Sequence, residues 1–366
     1  MKVTDSRHCP HVTHRAGQLM GQLGAFRSGD PVRFTFMPSA ESKFIDYFSP
    51  ATGLELSRVF AAGPIRYVSP DRLDTVNVAI LTAHGSDLSV PIWNLRRKLS
   101  DDAMVAVWFW DNHLSHMNNL RTALAADFVF PSHAYIAHYL FNPVSVVAGS
   151  IPACSAQWTG DEAQRILLSH AGRPRAPKAL LNYVDYEFSW RSGLLRELAA
   201  SCRDADVLLM PPNERSRYFS KTREQRLAEW LHYKATVILP VDKDLSTRVF
   251  DALLAGQIPI VPLMVSDFDR VIPPQVQAEL GIVRVNGLNT GEIQAAIAEA
   301  LRRFDAMGAE GVERRQQFVL RHHMLHQRVA GIMDTLGLIA REELIVPEIR
   351  GPGFGLYVVD RRQVPD

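Results

Sequence analysis

The chain has 366 residues, enough for about two domains at roughly 150 residues each. With 47% apolar and 22% charged residues it is not a disordered chain, and 40 Lys plus Arg against 39 Asp plus Glu leaves no global basic field for nucleic acid. Three scattered cysteines, Cys9, Cys154 and Cys202, have no CxxC spacing, which argues against a disulfide framework or a structural zinc site and for a reducing compartment.

The N-terminal MKVTDSRHCPHVTHR is polar, and no run of about 18 apolar residues occurs. The expectation is a cytoplasmic protein with at most peripheral membrane contact. The first 75 residues show only a helical period over 13–27 and a candidate strand over 32–37.

From Val76 short β-branched runs alternate with amphipathic stretches. Strands are predicted at 76–82, 106–110, 127–132 and 144–149, and helices at 91–99, 114–126 and 133–140. The Trp108-Phe109-Trp110 run reads as strand core. A break follows, with the basic, proline-containing HAGRPRAPK (170–178) as the candidate linker.

The alternation restarts with strands at 178–184, 205–211, 235–241, 258–264 and 281–285. Helices are predicted at 189–200, 222–233, 246–256 and 290–307, and more helix from Gly311 to Leu336. Late on the chain, His322, His323 and His326 with Arg321 and Arg328 read as a polar helix face, and Arg302, Arg303, Arg314 and Arg315 as solvated charge, with contact to an anionic lipid surface as the alternative. The expected organisation is one α/β domain over 1–165, a second α/β domain over 176–310, and closing helices and tail over 311–366. Two Rossmann-like doubly wound domains in series would face a common cleft with the C-terminal ends of their strands.

The most informative segment is ATVILPVDKDLSTRVFDALLAGQIPIVP, 235–262. A helix starting near Ser246 offers unpaired N–H groups and a positive dipole end, with Thr247 and Arg248 beside it, a candidate diphosphate cradle. Asp251 shares a face with Thr247 at i, i+4, where a carboxylate could take a ribose diol. The alternative is an ordinary N-cap, a solvated Arg248–Asp251 pair and Gly256 as a C-cap. Asn213, in the loop after 205–211, could frame a base. Cations on other loops, Arg191, Arg215, Arg217 and Lys221, could meet phosphate charge, and Tyr183 and Tyr186 could stack on a ring.

Candidate general bases lie after the first domain's strands: His84 in Ala83-His84-Gly85-Ser86-Asp87, and Asp111 and His113 after 106–110. Each has a capping role as its alternative. Asp111, His113 and His116 lack a further carboxylate motif, and Asp242-Lys243-Asp244 stands in a loop before a phosphate-type helix, so no metal is expected.

The run D-L-S-T-R-V-F-D-A-L-L-A-G-Q-I-P-I-V-P resembles the S-x-R-x-F-E-A-L-x-x-G-x-I-P-V segment of GT-B-fold nucleotide-sugar-dependent glycosyltransferases, including exostosin-like and spore-maturation-type members. The resemblance is close over this block and extends in layout over about 176–300. It implies a GT-B-like architecture with 1–165 on the acceptor side and 176–310 binding the nucleotide sugar, a phosphate role for Ser246, Thr247 and Arg248, a ribose role for Asp251, and structural roles for Gly256 and Pro259. Asp stands at 251 where Glu is commoner, and Lys243 stands where many retaining members have an acid, which leaves the stereochemical outcome open.

The implied activity is transfer of a sugar from a nucleotide-diphosphate donor to a hydroxyl acceptor, possible in surface glycan synthesis, with no cofactor besides the donor substrate and no nucleic-acid partner. A nucleotide-sugar epimerase or hydrolase of the same fold, and a catalytically silent nucleotide-binding protein, are the alternatives.

Overall fold

The computed structural model describes residues 18–37, 64–110, 115–140, 142, 144–187, 189–214, 220–345 and 356–363. The chain divides into two compact units, one made of 1–152 with 326–366 and the other of 153–325.

The strands of the first unit are β1 (Val32–Met37), β2 (Ile65–Tyr67), β3 (Val78–Ala83), β4 (Met104–Phe109), β5 (Phe128–Pro131) and β6 (Val146–Val147). They form one parallel sheet in the order β2-β1-β3-β4-β5-β6, extended by a strand from the C-terminal tail, Leu356–Tyr357, parallel to β6. Every residue of β3 and β4 is buried, as expected of strands covered on both faces. Trp108 and Phe109 are core residues as predicted. Helices α1 (Ser89–Arg96) and α2 (His116–Ala125) carry the crossovers, and 134–140 is a 3₁₀ helix. Arg96 joins the two helices, donating to the Ala125 carbonyl at the C-terminus of α2 and pairing with buried Asp127 at 2.9 Å.

The second unit contains α3 (Gly160–Ser169), β7 (Ala176–Val184), α4 (Trp190–Ser201), β8 (Ala205–Met210), α5 (Arg223–Leu231) and β9 (Tyr233–Val237). It continues with α6 (Thr247–Leu254), β10 (Ile258–Pro262), α7 (Phe268–Val271), α8 (Pro274–Leu280), β11 (Val283–Val285) and α9 (Thr290–His322). The sheet is parallel throughout, in the order β8-β7-β9-β10-β11. Numbered within the unit this is 2-1-3-4-5, a doubly wound order whose switch point lies between β7 and β9.

The period of two along β7 builds both cores. Ala179, Leu181 and Tyr183 face Leu195 of α4 and Ile297 and Phe304 of α9. Leu180 faces a second cluster with Leu227 and Trp230 of α5 and Val249 and Leu253 of α6. After α10 (Leu325–Ala340) come β12 (Leu344–Ile345), β13 (Leu356–Tyr357) and β14 (Val359–Asp360), the last antiparallel to β12.

The unit boundaries depart from the sequence expectation. They fall at Pro152/Ala153 and Leu325/His326, rather than at 165, 176 and 310. Thr159 caps α3 by accepting from the Glu162 N–H, and Ala163 and Ile166 join the second unit's core. The stretch 170–178 is no free linker, because Arg175 donates to the carbonyls of Tyr233 and Ala255 and leads straight into β7.

Three late side chains expected on solvated faces are core residues. His323 and His326 are buried, and Arg315 is 0% exposed. Arg315 donates to the carbonyls of Gly256 and Leu280, which follow α6 and end α8, so two helix C-termini receive its charge. Burial pushes its pKa down to about 9. Gly308, at φ 54° and ψ −151°, breaks α9 into two helical stretches.

Candidate functional site

In an open α/β sheet the loops at the carboxyl ends of the strands part at the switch point. In the second unit that point is bridged by one side chain. The Tyr183 hydroxyl, at the end of β7, donates to the Val237 carbonyl at 2.7 Å and accepts from the Leu239 N–H at 2.9 Å. Its ring carries two cations, Arg248 at 4.2 Å and Arg191 at 5.0 Å from the centroid.

Arg248 is the second residue of α6. The Ser246 side chain caps that helix by accepting from the Arg248 N–H, the role the sequence offers as the alternative to a phosphate contact. Its guanidinium donates from Nη1 to Asn182 Oδ1 at 2.6 Å and from Nη2 to the Asn182 carbonyl at 2.5 Å. Asn182 in turn donates from Nδ2 to Glu229 of α5 at 3.1 Å, and Glu229 pairs with Lys221.

Arg191 enters from the first turn of α4. Only 7% exposed, it reaches the Leu239 carbonyl at 3.4 Å, and its Nε has no hydrogen-bond partner among the described residues. Burial lowers its pKa, as does the neighbouring Arg248, while Tyr183, Tyr186 and Asp244 act the other way. Among the described residues neither guanidinium forms an ion pair with a carboxylate. Two positive charges, one helix N-terminus and an unfilled buried N–H therefore converge at the switch point, an arrangement complementary to a polyanion.

The rim is partly apolar. Tyr186, Trp190 and Val241 are exposed around the mouth, with Trp190 Nε1 donating to the Val241 carbonyl at 3.4 Å. Asp244 folds the β9–α6 loop back on itself, its Oδ1 accepting from the Val241 and Asp242 N–H groups. Asp244 thereby helps fix the shape of the loop that leads into α6.

Of the residues singled out from the sequence, Ser246, Thr247 and Arg248 stand together at the start of α6, all half-buried. Asn213 lies exposed in a 3₁₀ turn after β8. Asp251 is in the same helix as Arg248 but 2% exposed, with Oδ1 accepting from Ser155 Oγ and Oδ2 from Gln157 Nε2, both at 2.8 Å. Arg215, Arg217, Asp111 and His113 lie outside the described residues.

In the first unit His84 follows β3, half-buried, its ring 5.2 Å from that of Trp110. A buried pair that the sequence does not single out, Ser132 and His133, stands at the end of β5. Ser132 Oγ donates to the Trp110 carbonyl at 2.9 Å and lies 3.0 Å from His133 Nδ1. Nothing in the local sequence of Arg191 and Tyr183 marks the switch point.

A recess of about 760 Å³ lies at the opposite end of this sheet, bordered by Arg175, Lys234, Phe304 and Gln316. Helix C-termini point there, and their carbonyls are already met by Arg175 and Arg315. The chemistry favours the carboxyl-end mouth instead. Among the described residues no group of three or more His, Cys, Asp or Glu is placed to hold a metal, and no helix is long and apolar enough to cross a membrane.

No protein-family model matches the chain, and no curated protein matches it. Several solved structures are similar in part. The α,α-trehalose 6-phosphate synthase from Burkholderia multivorans is 12% identical, covering 75% of this chain and 72% of that one, with a TM-score of 0.44. A glycosyltransferase from Rickettsia africae is 10% identical over 84% and 98% of the two chains, with a TM-score of 0.46. The sucrose-phosphate synthase from Thermosynechococcus elongatus is 15% identical over 88% and 91%, with a TM-score of 0.45.

Proposed function

We propose that the chain is a GT-B-type glycosyltransferase that takes a sugar from a nucleotide-diphosphate donor and passes it to a hydroxyl acceptor. The observation that carries this reading is the pair Arg191 and Arg248 flanking Tyr183 at the switch point, with no ion pair to a carboxylate among the described residues, beside the N-terminus of α6.

The donor's diphosphate lies against the first turn of α6, taking N–H groups and the Thr247 hydroxyl. Arg248 and Arg191 meet its charge. As the anomeric bond breaks, negative charge grows on the leaving diphosphate, and fixed cations in a partly dry site stabilise that charge more than the ground state. The leaving group needs no metal in this scheme. Asn213 and the exposed rings of Tyr186 and Trp190 border the space left for the nucleoside.

The acceptor hydroxyl must lose its proton as the new bond forms. His84, Asp111 and His113 follow strands β3 and β4 of the first unit and are the proposed source of that base. Surface glycan synthesis is the proposed role.

The test is turnover. Purified protein is incubated with a panel of nucleotide sugars, with and without hydroxyl acceptors, and nucleoside diphosphate release is followed. Release that depends on acceptor and disappears in Arg248→Ala supports transfer. Altered free sugar without acceptor points to an epimerase or hydrolase, and no turnover with any donor counts against an enzyme.

A further inference from the structure

Helix α6 is gripped one turn below its N-terminus, at two successive residues. Asp251 accepts hydrogen bonds from Ser155 and Gln157, one on each carboxylate oxygen. Phe250 stacks on His323, with ring centroids 4.8 Å apart and planes 23° from parallel, and His323 also meets Phe318 at 4.5 Å.

These partners sit on the two segments that cross between the units. The chain enters the second unit at Ala153 and leaves it after Leu325. The two crossings are tied to each other as well. The Ser155 N–H donates to the His323 carbonyl at 3.0 Å, and Ser155 forms a parallel bridge with Met324. On the entering segment Trp158 is anchored further, its Nε1 donating to the Arg223 carbonyl of α5 at 2.8 Å.

We propose that Asp251 is a positioning residue that fastens α6 to both crossing segments, so that a nucleoside diphosphate held at the N-terminus of α6 also orders the crossings. This rests on the reading of the mouth as a nucleotide site. It replaces the ribose contact implied for Asp251 by resemblance with a contact inside the protein. Three observations support it: a side chain 2% exposed offers no face to the mouth, both oxygens are occupied, and the adjacent Phe250 binds the other crossing. The burial also raises the Asp251 pKa, to about 6, as expected of a carboxylate held from water.

The experiment compares wild type, Asp251→Asn and Ser155→Ala, each first checked for a native circular dichroism spectrum. Hydrogen exchange is followed over 153–158 and 319–325, without ligand and with UDP or GDP. Binding of each diphosphate is then compared with that of its 2′,3′-dideoxy analogue.

Without ligand, both variants should exchange several-fold faster at both segments, and unchanged exchange would overturn the tie whatever the nucleotide result. Both should bind the diphosphate about three- to tenfold more weakly, the loss of one internal hydrogen bond. Both should keep the wild-type ratio of ribo to dideoxy affinity and lose the ligand-induced protection at the crossings.

Collapse of that ratio in Asp251→Asn alone, with Ser155→Ala binding as wild type, would make Asp251 a ribose ligand and overturn the proposal. If wild type binds no nucleoside diphosphate, the nucleotide site falls and the coupling with it, while the unliganded exchange still decides the tie.

Discussion

Arg248 is held on the end of β7 by a single residue, Asn182, whose side-chain and backbone oxygens both accept from its guanidinium. The amide orientation follows from the other side of the same residue, where Nδ2 donates to Glu229. Neutral acceptors fix the position of Arg248 without cancelling its charge, which a carboxylate there would do.

Asn182→Asp should therefore weaken anion binding at the mouth. A carboxylate beside Arg248 forms the missing ion pair, and the expected loss of nucleoside diphosphate affinity is about tenfold or more, roughly 1.4 kcal/mol. Isothermal titration checks this, and equal affinity would show that Arg248 does not face the ligand.

Tyr183→Phe should lower stability by about 1–3 kcal/mol, because the Leu239 N–H and the Val237 carbonyl lose their shared partner in a buried setting. Urea unfolding gives the number. The ring that carries Arg248 and Arg191 is retained, so the loss should appear in stability before it appears in binding.

Gly256→Ala should destabilise the second unit by about 1–3 kcal/mol. The backbone there has φ +73°, and an added Cβ would stand 2.6 Å from Val312 Cγ1 and 3.3 Å from Arg175 Nη2. The thermal midpoint should fall without a change in nucleotide affinity at the opposite end of α6.

Asp251 gives a pH dependence with a definite sign. Burial raises its folded pKa from 3.8 to about 6, against the opposing hydrogen bonds of Ser155 and Gln157 and the charges of Arg248 and Arg226. A raised folded pKa contributes stability that is fully present below the unfolded value and is lost as pH rises through the folded one. Between pH 7 and pH 5 wild type should gain roughly 1 kcal/mol relative to Asp251→Asn, measured by denaturant unfolding at each pH. A difference that stays constant or shrinks would contradict the burial of a charged carboxylate.

Much of the fold is legible because parallel strands covered on both faces are nearly continuous apolar runs. Val78–Ala83, Met104–Phe109 and Ile258–Pro262 stand out for that reason. Helix α3 was passed over, although the Thr159 cap and the Glu162 three residues later mark its start. Helices α7 and α8 have 4 and 7 residues, too short for a helical period to emerge.

At the site, the cap at Ser246 and the place of Arg248 were readable from local spacing. The burial of Asp251 was not, since i, i+4 spacing fixes a face of the helix but not what covers it, and Ser155 and Gln157 lie 96 and 94 residues away. Arg315 had a signal that composition hid: with Gly311 and Val319 it makes a buried i, i+4, i+8 stripe.

The central claim is that the mouth between β7 and β9 binds a nucleoside diphosphate through Arg248. Calorimetric titration of wild type and Arg248→Ala with UDP, GDP, CMP and ADP, each with and without magnesium, tests it most directly. The account predicts saturable binding of one nucleotide to wild type, weakened about a hundredfold in the variant through loss of charge-assisted hydrogen bonds worth roughly 2–3 kcal/mol. Binding that is equal in the two proteins, or no binding of any nucleotide to wild type, would contradict it.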